Sequence, residues 1–360
     1  MNTFGKNIRC SIFGESHGEC IGITIDGLPT NLTINFSLIK NNLQKRLGID
    51  LISTSRREPE DFKIISGYFE NKTTGAPLTI IIENKDTKSE DYSKGEIRPN
   101  HSDYPYFIKY QQANDYRGGG HSSGRLTALL VIIGSICEQI LKEKNINIYS
   151  HVSQVHNIFD KNLNDIESIK RIKKFEENSF MLCKKVEQKA IKLISETKEK
   201  GDSLACKTKT LVEGLPIGLG EPFFDSFESH LSHLLFSIPG VKGVLFGDGE
   251  DLITKLGSEQ MDELEINNSK VNLLSNHQGG INGGVTNGNI VTFSTIFKAP
   301  SSISTHKKSV NLIENKNISL STIGRHDPII GIRAIPVINS IAYWTILDLL
   351  LESKKYEGIK

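Results

Sequence analysis

Residues 117–144 read RGGGHSSGRLTALLVIIGSICEQILKEK and give the strongest indication of the architecture. Two serines follow three glycines and can cap a helix, so we predict a helix over residues 122–144. Its apolar residues cover most of the circumference: Leu126, Leu129, Leu130, Ile132, Ile133, Ile136, Ile140 and Leu141. Because a surface helix has a single apolar stripe, this pattern predicts a helix buried between layers.

The segments around this helix alternate between predicted strands and helices. Strands are predicted over residues 8–13, 21–25, 62–69, 77–83, 203–212, 241–246 and 290–297, and further helices over 37–47, 228–236 and 334–351. Residues 159–200 are rich in Lys, Glu and Asn and indicate solvated helices, whereas 249–276 reads as a polar loop. No linker-like run divides the chain. We therefore predict one α+β domain over residues 1–360, with a pseudo-duplicated plan.

The overall charge argues against a dedicated nucleic-acid binder. Lys plus Arg number 43 and Asp plus Glu number 42, which gives a net charge of +1 over 360 residues. A nucleic-acid-binding protein needs a strongly basic face. Net charge does not report clustering, so a local basic pocket stays possible.

The compartment is predicted to be the cytoplasm, with no membrane contact. The chain has five cysteines without a C-x-x-C pair, a pattern that favours a reducing compartment. The first residues lack the pattern of a secretory signal. Residues 334–351 are mostly apolar, but polar residues such as Asn339 and Asp348 interrupt them, so we predict a buried helix. No H-E-x-x-H or Cys/His spacing is present, and no metal site is predicted.

The sequence Gly14-Glu15-Ser16-His17-Gly18 resembles G-x-S-x-G, the nucleophile elbow of α/β hydrolases. That motif requires a helix directly after the serine. Residues 19–27 are instead β-branched and broken by glycine, which is typical of a strand. The hydrolase interpretation therefore fails on context, and an ordinary hairpin turn remains an alternative.

The glycine-rich block at residues 117–125 favours anion binding. Glycines let the backbone approach a ligand closely, helix N-terminal amides donate to anions, and Arg117 and Arg125 flank the block. It is neither a Walker A loop nor a dinucleotide-binding motif. The alternative is a plain glycine loop before a capped helix. Two further blocks, residues 98–104 (RPNHSDY) and 325–328 (RHDP), contain a histidine among other polar groups.

Taken together, these blocks resemble the chorismate synthase family over nearly the whole chain. The matching segments, in the family's order, are FGESHG and IDGLP, SRREPEDFKIISGYFENKTTGAPL with SEDY, RPNHSDY, DYRGGGHSSGRLTA, IPGVKGVLFGDG, SNHQGGINGGVTNG, KAPSSIS and GRHDPIIGIRAIP. The resemblance implies helices sandwiched between two antiparallel β-sheets. It also implies a homotetramer.

The activity that the resemblance implies is that of a lyase of the shikimate pathway, which leads to aromatic amino acids. The family eliminates phosphate in an anti-1,4 sense from 5-enolpyruvylshikimate 3-phosphate and gives chorismate. Reduced FMN is required, although the reaction has no net redox change. Bifunctional members reduce the flavin with NADPH, whereas monofunctional members depend on an outside supply. The sequence leaves both sources open.

The resemblance also implies site residues. His101 is implied to protonate the leaving phosphate, His17 to protonate the reduced flavin, and Asp327 to help accept the C6 proton through the flavin N5, with Ser16 and Ser123 hydrogen-bonding nearby. The substrate anions are implied to meet Lys45, Arg46, Arg98 and Arg125. The flavin is implied to contact His121, Ser122, Ser123, Pro239, Gly240, Gly283, Lys298, Ala299, Pro300, Ser301, Ser302 and Arg325.

Several positions depart from the family pattern. The family usually has arginine at His121, alanine at Gly124 and glutamate at Leu126 and Asn339. A second arginine expected near Leu51 is missing, which alters part of the implied substrate clamp. Because His17, His101 and Asp327 are kept, the sequence predicts a divergent but active enzyme. The alternatives are a degenerate flavin- or phosphate-binding protein without elimination activity and, more remotely, a serine hydrolase built on Ser16.

Overall fold

The structure is a computed structural model that describes residues 2–49, 52–53, 61–85, 87, 89–161, 170, 172–173, 179–322 and 327–356. In these ranges the strands are β1 (Thr3–Phe4), β2 (Arg9–Gly14), β3 (Cys20–Asp26), β4 (Phe62–Ser66), β5 (Tyr68–Phe69), β6 (Lys72–Thr73), β7 (Leu78–Glu83), β8 (Asn147–Val155), β9 (Ile158–Phe159), β10 (Cys206–Glu213), β11 (Val241–Phe246), β12 (Leu264–Asn267), β13 (Lys270–Leu273), β14 (Ile281–Asn282), β15 (Val285–Thr286), β16 (Val291–Phe297), β17 (Lys307–Asn311) and β18 (Lys316–Leu320). The α-helices are α1 (Phe36–Lys45), α2 (Asp103–Lys109), α3 (Thr127–Lys142), α4 (Lys184–Glu199), α5 (Phe227–Leu235) and α6 (Gly331–Ser353).

Two antiparallel five-stranded sheets form the outer layers. The first has the order β1-β2-β3-β7-β4 and the second β11-β16-β10-β8-β9. In β7 the residues alternate strictly between buried and half-buried, starting with buried Leu78. This period of two gives the first sheet one apolar face that must pack against another layer.

Helices α3 and α6 fill the space between the sheets. Helix α6 touches the second sheet where the Ile148 amide donates to the Tyr343 hydroxyl at 3.1 Å. It also contacts the start of β2 in the first sheet, where Trp344 Nε1 donates to the carbonyl of Ile8, the residue before that strand, at 2.9 Å. Helix α3 is buried over most of its length, from Thr127 to Cys137. The predicted arrangement of helices between two antiparallel sheets is confirmed.

Two apolar stretches, which contain α3 and α6, are long enough to cross a membrane, yet they are mostly buried inside the protein. The stretches Arg117–Lys142 and Gly331–Ser353 meet the length and hydropathy criteria, and 78% of each most apolar window is buried inside the protein. The sheets and neighbouring helices therefore cover the surface that a lipid bilayer would otherwise contact.

Several elements differ from those predicted from sequence. The predicted polar loop 249–276 contains the hairpin β12–β13, and β8, α2 and the hairpin β17–β18 were not predicted. The helix expected over residues 122–144 begins at Thr127, because the preceding glycines carry left-handed backbone angles and form short 3₁₀ turns. Within 159–200, a helix with one buried face is present over Lys184–Glu199. Residues 162–169, 171 and 174–178 lie outside the described residues.

Gly134 allows α3 and α6 to touch. A Cβ atom built on Gly134 would lie 2.1 Å from the Cβ of Ser340 and 2.3 Å from its Cα, far inside van der Waals contact. A methyl group at this position therefore requires the two helices to separate.

We expect Gly134→Ala to lower the free energy of unfolding by about 1–3 kcal/mol, the usual cost of overpacking a core. This sign is opposite to that of helix propensity, which favours alanine over glycine by about 1 kcal/mol. Urea unfolding measures the difference. Gly124→Ala is the control for stability, because a Cβ on Gly124 meets nothing within 4 Å. A Gly134→Ala protein as stable as the wild type would show that the helices are not in tight contact.

Candidate active site

One large cleft of about 700 Å³ opens where α3, α6 and the loops at residues 98–102, 117–125 and 236–242 meet. Its lining combines two kinds of residue. The apolar ones, which we call the apolar wall, include Ile12, Leu126, Leu130, Ile238, Pro239 and Val337. The charged and imidazole ones include His17, Arg46, Arg98, His101, His121, Arg125, Lys242, Lys298, Asp327 and Arg333. A volume of this size suits a small-molecule ligand.

The turn between β2 and β3 and the glycine loop pack against each other. The Ser16 amide donates to the Gly120 carbonyl at 3.1 Å. Gly118, with φ at +58°, lies so close that a Cβ there would be 2.6 Å from the ring of His17 and 3.0 Å from Ser16 Oγ. Only a residue without a side chain lets the loop approach this turn. The local structure therefore fixes His17 at the cleft wall.

Ser89 and Tyr92 contact His17, which is 8% exposed. Ser89 Oγ lies 3.2 Å from its Nδ1. The ring of Tyr92 stands edge-on to the imidazole, with centroids 5.2 Å apart. Tyr92 also faces the guanidinium of Arg98, whose Cζ lies 5.5 Å from the ring centroid. Tyr92 therefore joins a candidate catalytic histidine to a candidate substrate-binding arginine.

Asp103 holds Arg98 and His101 together. It accepts from Arg98 Nε at 2.7 Å, from Arg98 Nη2 at 2.8 Å and from the Arg98 amide at 3.0 Å. The same carboxylate lies 2.7 Å from His101 Nδ1. Asn100, in a left-handed conformation with φ at +61°, turns the chain so that both side chains meet Asp103. A two-pronged guanidinium–carboxylate pair of this kind is strong and directional.

The charges of this cluster shift its pKa values. Burial lowers the pKa of His101 and the charges of Arg98 and Lys298 lower it further, whereas the hydrogen bond to Asp103 opposes these effects. Burial alone would raise the pKa of Asp103, but hydrogen bonds from Arg98 and His101 outweigh it and hold that pKa well below its usual range. Asp103 is thus a fixed negative charge among cations.

The KAPSS segment places a lysine beside the same loop. Lys298 Nζ donates to the Asn100 carbonyl at 3.2 Å and also bonds Ser301 Oγ. Ser301 Oγ donates to that carbonyl at 2.8 Å. Burial, with a smaller effect from Lys242, lowers the pKa of Lys298. Pro300, Ser301 and Ser302 line the cleft as well.

Asp327, just before α6, and Arg46, just after α1, both line the cleft. Asp327 is ion-paired with Arg333, whose Nε donates to the Arg46 carbonyl at 2.9 Å. Arg46 is 4% exposed and follows the last turn of α1. The predicted flavin residue Arg325, His326 beside it, and Leu51 with the basic residues 56–57 lie outside the described residues.

Residues 121–126 directly precede helix α3, which borders the cleft. The Ser123 side chain accepts from the Arg125 amide at 3.4 Å, and Arg125 Nε donates to Asn84 Oδ1 at 3.2 Å. His121 bridges two segments, because its Nδ1 lies 2.8 Å from the Gly14 carbonyl and its Nε2 lies 3.0 Å from Asn2 Oδ1. His121 therefore contacts both the end of β2 and the N-terminal segment.

Four of the predicted site residues that the structure describes do not line this cleft. Lys45 is exposed on α1, Ala299 lies between two residues that do line the cleft, and Gly283 lies in the turn between β14 and β15. Ser16 is fully buried behind Gly118, and its Oγ has no hydrogen-bond partner among the described residues. A buried serine followed by strand β3 cannot act as the exposed nucleophile of a hydrolase.

The cleft also contains residues that the sequence reasoning did not assign. Arg333, Tyr92 and Lys242 line it, and Asp103 holds two of its cations. Tyr92, Asp103 and Arg333 belong to the SEDY, RPNHSDY and GIRAIP blocks, so their signal was present in motifs already identified. Within the described part of the chain, no group of three or more His, Cys, Asp or Glu side chains is arranged to hold a metal ion.

Comparison with known proteins gives the family. A family model described as chorismate synthase matches residues 8–351. Chorismate synthase from Francisella tularensis subsp. mediasiatica (strain FSC147) is 39% identical over 358 residues, which are 99% of both chains. That from subsp. novicida (strain U112) is 38% identical over the same length, again 99% of both chains.

A solved structure agrees in fold. A crystal structure of chorismate synthase superposes with a TM-score of 0.75 and 24% sequence identity, over 97% of this chain and 93% of that one. At this identity the superposition supports the architecture, and the sequence relatives carry the family assignment. The chain belongs to the chorismate synthase family.

Proposed function

We propose that the protein is a lyase that eliminates phosphate from 5-enolpyruvylshikimate 3-phosphate in an anti-1,4 sense and forms chorismate with reduced FMN. One observation carries this proposal. The imidazoles of His17 and His101 line one cleft together with five cationic side chains and a set of apolar residues; the cations are Arg46, Arg98, Arg125, Lys298 and Arg333. The substrate bears one phosphate and two carboxylates, and such an anion requires a site rich in guanidinium groups.

The cleft fits a flavin as well as the substrate. Gly124 opens on free space, since a Cβ there would meet no atom within 4 Å. The apolar residues of the wall offer a surface for a flat ring, and Lys298 and the 3₁₀ turns at residues 117–126 offer donors for a phosphate. The buried hydroxyl of Ser16, which has no partner among the described residues, lies next to His17. Reduced FMN, when bound, would supply an electron-rich ring beside the substrate.

The chain's own residues have distinct tasks in this proposal. The arginines bind and orient the anionic groups of the substrate. His101, next to Arg98, delivers a proton to the departing phosphate, because an oxygen leaves more easily when its developing charge is neutralised. His17 holds a second proton in the same cleft, and Asp327, kept in place by Arg333, is a carboxylate just before the start of α6. The apolar wall excludes water.

We also propose a cytoplasmic homotetramer that folds as one domain over residues 1–360. Support for self-association comes from the hairpin β12–β13, which pairs Leu264 with Leu273 and Ile266 with Val271 on one face. Leu264 is 65% exposed, Ile266 78% and Val271 62%. A two-stranded hairpin is marginal alone, so an apolar face of this kind fits contact with a second copy.

An anaerobic assay tests the proposed activity. Purified protein is mixed with 5-enolpyruvylshikimate 3-phosphate and reduced FMN, and both inorganic phosphate and chorismate are measured. We expect the two products to appear at equal rates, and neither to form with oxidised FMN or without flavin. Saturable flavin binding without phosphate release would instead identify a degenerate flavin- or phosphate-binding protein, the alternative suggested by the altered residues at His121 and Leu126.

A further inference from the structure

We propose that Asp103 is a positioning residue for the proton donor, His101. Asp103 fixes the imidazole ring so that Nδ1 faces the carboxylate and Nε2 is the nitrogen that exchanges a proton with the ligand in the cleft. This inference rests on the proposed function, because it specifies how His101 is kept ready to protonate a leaving phosphate. It assigns a role to a residue that contacts neither the reacting atoms nor the flavin.

The geometry of the carboxylate supports the assignment. Both oxygens of Asp103 are occupied, one by Arg98 Nε and the Arg98 amide and the other by Arg98 Nη2 and His101 Nδ1. Its side chain is 10% exposed, and that of Arg98 is also 10% exposed. A carboxylate held by a buried guanidinium cannot rotate, so the histidine bonded to it is also fixed.

The bond sets the tautomer of His101. A carboxylate is only an acceptor, so Nδ1 must carry the proton in the 2.7 Å contact with Asp103. Nε2 is therefore the site of protonation and deprotonation. It lies against the glycine loop, since a Cβ built on Gly119 would be 3.5 Å from Nε2. An aspartate that orients a histidine and stabilises its imidazolium form is a general catalytic arrangement.

The surrounding charges explain why an anion is needed at this position. Without Asp103 a protonated His101 would face the positive charges of Arg98 and Lys298, both of which lower its pKa. An arriving phosphate supplies a second negative charge at Nε2. We therefore expect phosphate binding to be accompanied by proton uptake at His101, with Asp103 increasing that uptake near neutral pH.

The pH profile of Asp103→Asn tests the proposal. Asparagine preserves the shape but removes the charge that favours protonated His101, so the pKa of His101 falls further. A step that requires protonated His101 is active below this pKa and is lost as the pH rises through it. The basic limb of kcat should therefore move to lower pH, with kcat reduced about 10- to 100-fold at pH 8 and less at pH 6. Asp103→Glu, which restores the charge, should give an intermediate limb.

Asp115→Asn is the matched control. Asp115 accepts from the amide, Nε and Nη2 of Arg117 in the same way as Asp103 does from Arg98, but without a histidine hydrogen bond. Asp115→Asn should leave the basic limb of the kcat–pH profile, which reports His101, at the same pH as in the wild type. If Asp103→Asn lowers kcat equally at every pH, Asp103 has only a structural role and the proposal is wrong.

Calorimetric titration with inorganic phosphate separates this inference from the proposed function. Titrations of the full chain in buffers of different ionisation enthalpy report the number of protons taken up per phosphate bound. The same titration of His101→Asn measures the protons taken up by the phosphate itself, which are subtracted as the baseline. We expect uptake above that baseline in the wild type and a smaller value in Asp103→Asn at pH 7.5. If the expected proton uptake is found but the protein releases no phosphate from the substrate, only the proposed function is refuted. If the protein is active but its proton uptake does not depend on His101, only the inference is refuted. The same holds if the protein is active and Asp103→Asn leaves the proton uptake unchanged.

Discussion

His101→Ala is expected to lower the turnover number about 10- to 1000-fold, the usual range for losing one acid–base group. The imidazole is 22% exposed and stands between Asp103 and the cleft, so its removal takes the proton donor away without unpacking the core. Arg98 stays bonded to Asp103, and substrate binding should therefore be less affected than turnover. The measurement is the initial rate of phosphate release under anaerobic conditions, with KM and kcat determined separately. His17→Ala should give a loss in the same range.

His306→Ala is the matched control for both variants. His306 is exposed next to strand β17, and its Nδ1 lies 3.2 Å from Ser319 Oγ, away from the residues that line the cleft. Its replacement should leave kcat unchanged. If His17→Ala and His101→Ala both turn over like the wild type, neither histidine has the proposed role.

Asp348→Ala is expected to lower the free energy of unfolding by about 3–5 kcal/mol, because it leaves one buried and two part-buried backbone donors without an acceptor. Asp348 is 3% exposed on α6. Its Oδ2 accepts from the Lys6 amide at 2.9 Å, and its Oδ1 accepts from the Asn7 amide at 2.6 Å and the Ile8 amide at 2.8 Å. This one carboxylate therefore anchors the segment that leads into the first sheet.

Urea unfolding at neutral pH and fixed protein concentration measures the loss. Glu352→Ala is the comparison one turn further along α6. Glu352 accepts from Asn7 Nδ2 at 3.3 Å and pairs with Lys355 at 2.8 Å, both near the surface. Its loss should cost about 0–1 kcal/mol. Equal effects of the two substitutions would mean that the buried amides find other partners.

The layered architecture was predictable where hydrophobic periodicity is strong. Helix α3 and strand β7 each have a regular apolar pattern that local physics converts into structure. Strand β8 was missed because its buried residues include Ser150 and His151. Ser150 bonds Thr210 at 2.7 Å and Asn339 at 2.5 Å, and His151 Nδ1 lies 3.0 Å from Asp160. Only the folded chain supplies these partners.

Asn339, which stands where the family usually has glutamate, likewise has surroundings that only the folded chain defines. Asn339 bonds a hydroxyl of the second sheet and does not line the described cleft, so its place in the sequence motif did not reveal its surroundings. Leu126, by contrast, lies in the apolar wall. The motifs identified which blocks matter, whereas the distribution of their side chains between core and cleft depends on tertiary packing.

The same limit applies to the cleft's charges. Arg46, Arg98 and Arg125 come from three separate segments, and their convergence followed from family resemblance rather than from spacing. Asp103 and Arg333 were present in recognised motifs, but their roles depend on contacts with Arg98, His101 and Asp327 that no linear pattern contains. Sequence alone therefore indicated which segments contribute residues to the cleft, but not how those side chains contact one another.

The stoichiometry of flavin use tests the central claim most directly. Wild-type protein is given a small, known amount of reduced FMN and a large excess of 5-enolpyruvylshikimate 3-phosphate without oxygen, and chorismate, phosphate and oxidised flavin are quantified. A redox-neutral elimination predicts equal amounts of chorismate and phosphate, many times the amount of flavin, with the flavin still reduced. Product limited to one equivalent per flavin oxidised, or no phosphate at all, would contradict the account.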